Sequence, residues 1–262
     1  MSVERFTSAS RRVLLVLAGL AVSAVTGNCN SIPELVGVSI AFGTATIRAI
    51  QAGDSSTYNY SRVFVNNTTF TGTMTEVVSA YSSTMFGQGL TVTRTFNYVT
   101  VAADGTQGAS ATHTQAMSLI PVGGATAVSS FVEQDNDGTV LQVVTPTGGD
   151  NLPFYTGTLE SGQSFSYPFT LSDGTMATET SSVLGAETVT VPYGTVATLM
   201  VSSLESMQGP SGQTSSSRSA WRHPVLGVIK RVTDIVDTPS GGTSNTSTET
   251  IELVSTNITT GS

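Results

Sequence analysis

The stretch that decides the fold is "ETVTVPYGTVATLMV", residues Glu187 to Val201. Val189 and Val191 alternate with Thr188 and Thr190 up to Pro192. Val196, Thr198 and Met200 alternate with Ala197, Leu199 and Val201 beyond it. A period of two is that of a β-strand, whose side chains point to opposite faces in turn. Pro192 fixes φ near −65° and Gly194 accepts positive φ, so Tyr193-Gly194 predicts a sharp corner between two antiparallel strands.

The rest of the chain carries the same pattern. From Ser61, Arg62, Phe64 and Asn66 share one face, with Val63 and Val65 on the other. Gly72–Met85 and Leu90–Val101 are further strand candidates, bounded by Gly, Ser or Asn. Ala125–Val132 and Thr139–Val144 read as a hairpin. Phe154–Leu171 reads as one strand, with Phe165, Tyr167 and Phe169 on one face and Pro168 suited to an edge. Thr248–Ser255 supplies a last strand with Ile251 and Leu253 inward. Ser31–Ile50 alternates less regularly and predicts a first strand, with a short amphipathic helix over Leu35–Phe42 as the other reading.

Asp-Gly pairs begin at Asp104, Asp137 and Asp173. Asp-Gly favours the positive φ of a type I′ hairpin turn, so each is expected to join neighbouring strands. Residues 146–153, with Gly148 and Gly149, form a loop and the best candidate for a subdivision. Gly209 to Arg218 is almost wholly Ser, Gly, Gln and Pro, which predicts a mobile loop.

Composition agrees with strands and turns. Ser plus Thr total 77 of 262 residues, Gly numbers 26, and charged residues make up 11% against about 25% in a typical domain. Thr fits a pleated surface through its β-branch. The fold class expected is therefore all-β: a single large, strongly curved antiparallel sheet or open barrel-like meander, with little helix apart from the amino-terminal segment. The formal charge of −8 argues against a nucleic-acid partner, since phosphate binding needs a basic stripe. A hydrophobic content of 39% argues against disorder.

Residues 1–27 resemble a signal peptide: Arg5, Arg11 and Arg12 precede an apolar run from Val13 to Val25, too short to span a bilayer comfortably. Small residues at Ala24 and Gly27 suit cleavage, and Arg11-Arg12 resembles a twin-arginine motif. This leaves residues 28–262 as one exported β-rich domain with no transmembrane helix. Cys29 is the only cysteine, so an intrachain disulfide is impossible. It is a lipidation candidate, with a free thiol as the other reading. Localisation is expected to be periplasmic, cell-surface or secreted, with a lipid anchor open.

Chemical motifs are sparse. His113 and His223 are the only imidazoles, and no Gly-x-Ser-x-Gly elbow accompanies them. The run from Glu133 to Thr139 resembles a calcium loop, but Val144 stands where the closing Glu belongs. The Asn-x-Ser/Thr sequons at Asn59, Asn66, Asn67, Asn245 and Asn257 are expected by chance in so hydroxyl-rich a chain. The expectation is therefore a protein that is not an enzyme and has no cofactor and no metal.

A resemblance runs through residues 150–256. Gly162-Gln163-Ser164-Phe165, Glu187 with Val191-Pro192-Tyr193-Gly194-Thr195, Trp221 with Pro224 to Lys230, and Glu252-Leu253-Val254-Ser255 occur in order. This series resembles the TapB-like family of exported bacterial proteins and related periplasmic β-rich domains of unknown function. The resemblance implies a strongly curved antiparallel sheet, comparable to the open barrels of periplasmic lipoprotein carriers. On that basis the concave face is expected to bind a hydrophobic small molecule, a lipid or an envelope protein, with Tyr193 and Trp221 as possible apolar ligand contacts. Phe165, Phe169, Met200 and Trp221 are each expected to fill a core rather than to touch a ligand. A surface structural or adhesive module is the alternative, and an uncharacterised hydrolase a third reading.

Overall fold

The structure is a computed structural model that describes residues 44–83, 87–122, 125–134, 140–144, 152–154, 157–171, 173–210 and 212–259. The amino-terminal segment 1–27, Cys29, the stretch 31–43, the Asp137-Gly138 pair, the calcium-like positions 135–139 and most of the 146–153 loop lie outside those residues.

Fifteen strands follow in chain order: β1 (Thr44–Ile47), β2 (Ser55–Phe64), β3 (Thr69–Ser83), β4 (Gly87–Val101), β5 (Gln107–Val122), β6 (Ala125–Gln134), β7 (Val140–Val144), β8 (Leu152–Phe154), β9 (Gly157–Glu160), β10 (Ser164–Thr170), β11 (Met176–Val191), β12 (Gly194–Gly209), β13 (Gly212–His223), β14 (Gly227–Pro239) and β15 (Asn245–Thr256). Thirteen make one antiparallel sheet in the order β10-β11-β12-β13-β14-β15-β2-β3-β4-β5-β6-β7, with β8 paired to β6; β1 and β9 form a separate two-stranded sheet. Two meanders of neighbouring hairpins thus meet where β15 pairs with β2, and Ile251 lies opposite Tyr60. The sheet is not closed into a barrel: β10 and β7 are its edges. Pro168 sits in edge strand β10, where its missing N–H interrupts no inner ladder.

Along the middle of the sheet, away from local register shifts such as that between Trp221 and Arg222, partners can be followed from strand to strand, so one face can be traced. The row Ala220, Arg231, Ile251, Tyr60, Gly72, Tyr98 is formed of direct cross-strand partners. The row Arg218, Thr233, Glu249, Arg62, Phe70 runs beside it. This face is the inner one. Its Tyr58, Met74, Val92, Phe96, Val183, Val201, Ile251 and Leu253 belong to one buried core. The opposite face carries the exposed Val63, Val77, Leu204 and Val236 among hydroxyl side chains. Both β1 and β9 add Ala45, Ile47 and Leu159 to the same core.

The Glu187–Val201 stretch forms the hairpin expected of it, and its tip does something further. Pairing between β12 and β13 begins at Leu199 opposite Arg222, so residues 186–198 are a two-stranded ribbon beyond the sheet. Two-stranded ribbons twist more than sheets. The buried side accordingly passes from Val201 and Leu199 to Thr198 and Val196. The tip reaches back across the fold, where the Tyr193 N–H donates to the Leu253 carbonyl at 3.0 Å.

Several expectations are corrected. Phe154–Leu171 is not one strand; it divides into β8, β9 and β10, with a turn over Ser161-Gly162. The turns at Asp104 and Asp173 are not type I′, because only Gly105 (φ 85°) and Gly174 (φ 83°) have positive φ. Each Asp accepts instead from the backbone two residues on: Thr106 N–H to Asp104 Oδ1 and Thr175 N–H to Asp173 Oδ1, both 2.9 Å. The predicted loop Gly209–Arg218 is a tight hairpin followed by strand β13. Its Thr214, Ser216 and Arg218 are buried against other polar groups, so polarity there reports a polar interior, not solvent.

Candidate binding site on the inner face

Between β11 and β4 the inner face buries an uncommon amount of charge. Arg218, on β13, donates to Glu179 Oε1 of β11 at 3.4 Å and to Glu205 Oε2 of β12 at 3.2 Å. Glu179 and Glu205 are direct cross-strand partners, so two carboxylates share one guanidinium. Arg231 on β14 donates to Glu249 Oε1 of β15 at 2.7 Å, and Arg94 on β4 to Glu76 Oε2 of β3 at 2.9 Å. Each of these arginines is 3% exposed. Burial of charge without a partner is costly, and the pairing offsets that cost.

Electrostatics follow from this crowding. Burial pushes the Glu205 carboxyl up to about 8, with the Glu179 charge raising it further and Arg218 opposing. Burial lowers the Arg231 guanidinium, which also feels Arg94 and Arg218, while Glu249 holds it charged. The Tyr58 phenol is raised by burial and by Glu76. Among the described residues of this cluster, Glu76 Oε1, Glu205 Oε1, Arg231 Nε and Thr233 Oγ1 are buried with no hydrogen-bond partner within the protein.

Beside this cluster, β2, β3 and β4 place a chain of rings on the same face. Tyr60 meets Phe96 edge-on at 5.0 Å, and Tyr98 at 6.1 Å. Phe70 stacks on Tyr98 at 4.7 Å and meets Phe64 edge-on at 4.9 Å. Gly72 lies between Tyr60 and Tyr98 in the row. A Cβ there would overlap the Asn97 carbonyl oxygen and stand 2.7 Å from Tyr98 Cα, so only glycine allows this close approach. Tyr60 and Phe96 are buried, whereas Phe64, Phe70, Tyr98 and Arg62 remain partly exposed. The Arg62 guanidinium lies 5.0 Å from the Phe64 ring centroid and donates from Nε to Ser247 Oγ at 3.0 Å.

The residues singled out in the sequence are dispersed. Trp221 lies on the outer face, opposite Met200 and Lys230 in neighbouring strands. Its Nε1 donates to Glu187 Oε2 at 2.9 Å, and Lys230, ion-paired with Glu252 at 2.7 Å, stands 5.9 Å from its ring. Neither Trp221 nor Met200 belongs to the core. A register shift between Trp221 and Arg222 then brings both Arg222 and His223 into buried positions. Tyr193 is partly buried against the core at the ribbon tip, with its phenol raised by burial. His223 Nδ1 accepts the Val225 and Leu226 N–H groups, each at 3.1 Å, and burial lowers its pKa to about 4. That is a neutral turn-capping imidazole. His113, on β5 opposite Phe96, is partly buried with its ring 5.9 Å from the Phe96 ring.

The sequence does not announce the charged cluster. Its members are strand residues at spacing two, Glu179-x-Ser181 and Arg218 among serines, and their alternation with other polar residues hides which face is inner.

No family model matches the chain, and no curated protein matches it. Among solved structures, an inferred exported protein with a YmcC-like fold from Bacteroides fragilis aligns at 14% identity, TM-score 0.36, over 82% of this chain and 99% of that one. An inferred lipoprotein from Parabacteroides distasonis aligns at 10% identity, TM-score 0.32, over 79% and 96%.

Proposed function

We propose that this chain is an exported, non-enzymatic β-domain that works by binding, with its ligand or envelope partner on the inner face of the curved sheet. The observation that carries this reading is the uneven covering of that face. Val92, Met117, Leu199 and Ile251 are buried, while Phe64, Phe70, Tyr98 and Arg62 on the same face stay partly exposed. A concave, mostly apolar surface with a few polar groups is the ordinary form of a ligand site. The signal-like segment 1–27 supports an extracytoplasmic place. Cys29 acylation would anchor the domain to a membrane. The inner carboxylates are engaged by arginines and the His223 imidazole caps a turn, which supports a binding role over a catalytic one.

The outer face favours a second reading. Thr71, Thr73, Thr91, Thr93 and Thr95 cover it on β3 and β4, a hydroxyl surface suited to packing against another protein. Mass spectrometry on protein purified from its native host separates the two. The binding reading expects a co-purifying small molecule. Recovery of none, together with specific attachment to cells or polymer, would replace it with the surface-module reading.

A further inference from the structure

We infer that the partly exposed aromatic patch of β2–β4 is a site for a single-chain anionic amphiphile, a fatty carboxylate, with its chain on the rings and its carboxylate on Arg62. This rests on the binding reading above and names the ligand class. The chain site follows from ring geometry. Phe64, Phe70, Tyr98, Tyr60 and Phe96 interlock with both edge-on and stacked contacts. Edges and faces mix along such a run, so it offers no single plane on which a sugar ring would stack, but its partly exposed members Phe64, Phe70 and Tyr98 offer an apolar surface for a flexible alkyl chain. Two members, Phe70 and Tyr98, pack against the core on one side and remain partly exposed on the other.

The head-group site follows from charge. Among the described residues Arg62 has no ion pair; its Nε is used on Ser247 and its guanidinium lies against Phe64. The carboxylate directly across the ladder, Glu249, is engaged by Arg231 at 2.7 Å. The terminal nitrogens of Arg62 are therefore the donors in this patch suited to a carboxylate, and a planar guanidinium accepts one in a bidentate fork. In a chain of formal charge −8, a partly exposed arginine beside apolar rings is the local exception that complements an anion.

The test is isothermal titration of the full chain with decanoate and with decanol, which share a chain and differ in charge. The wild type is expected to bind decanoate about ten-fold more tightly than decanol. Arg62→Gln should remove that preference by weakening decanoate about ten-fold relative to decanol, and Phe70→Leu should weaken both ligands together. An unchanged thermal midpoint for Arg62→Gln excludes unfolding as the cause. Absence of decanoate binding to the wild type, or a preference for decanoate that survives Arg62→Gln, overturns the assignment. If decanoate does not bind but another small molecule co-purifies from the host, the ligand class fails and the binding reading stands. If nothing co-purifies, and the protein attaches to cells or polymer instead, the binding reading fails as well.

Discussion

Glu205 and Glu179 face each other across adjacent strands, with Arg218 as their shared cation. Burial strips water from the Glu205 carboxyl, and the neighbouring Glu179 charge adds to this against the opposing Arg218, so Glu205 prefers its proton up to about 8. A folded-state pKa above the ordinary value of 4.5 means that the native state binds a proton the unfolded chain releases. The stabilisation from Glu205 is therefore complete below about 4.5 and lost as pH rises through about 8. His223 works in the opposite sense, with stability present above 6.5 and lost as pH falls through about 4. Urea unfolding at pH 5 and pH 8.5 should show the wild type losing stability relative to Glu205→Gln, which cannot ionise, by on the order of a few kcal/mol across that interval. The variant retains only the opposing His223 contribution; an equal change in both proteins would refute the buried proton.

Strand β13 shows how an element can be misread when its environment is unusual. Gln213 to Arg218 contains no apolar residue, and a polar run between strands is ordinarily a loop. Here Thr214 Oγ1 donates to Asp237 at 3.0 Å and Arg218 joins the two glutamates, so alternate residues point inward among polar groups. The tight entry at Gly212, φ 138°, brings its Cα against the Thr238–Pro239 backbone, where a side chain would collide. Hydrogen exchange should therefore find the 213–218 amides protected like those of β12 and β14, with protection factors well above those of the Gly241–Gly242 turn. Fast exchange throughout 213–218 would restore the loop.

For the whole molecule, the decisive pairing is β15 with β2, which joins residues about two hundred positions apart and unites the two meanders. Every other neighbouring pair in the large sheet's main order consists of strands consecutive in the chain. Local hairpins close with little entropy, whereas this pairing must close most of the chain. It also carries Ile251 and Leu253 into the core and Glu249 to Arg231. Truncation after Ser244, which removes β15, should abolish the cooperative thermal transition, and circular dichroism measures it. A truncated chain that melts cooperatively at the wild-type midpoint would show the two meanders to be independent.

By itself the sequence determined the strand class, most hairpins and the corner at Pro192–Gly194, because alternation and turn chemistry are local properties of neighbouring residues. It placed Ile251 and Leu253 inward correctly, since apolar alternation states its own face. Where inner and outer residues are both polar, as on β13, alternation carries no such sign. Which face of the sheet is inner, the passage of burial from Leu199 to Thr198 along the twisted ribbon, and the gathering of Arg94, Arg218 and Arg231 are decided only by tertiary structure. The same holds for the site: Tyr193 and Trp221 stand out by composition, yet Trp221 faces outward, and the patch of Arg62, Phe64, Phe70 and Tyr98 exists only because three strands align their registers. Cross-strand neighbours are set by pairing over long separations, and nothing within any one strand encodes them.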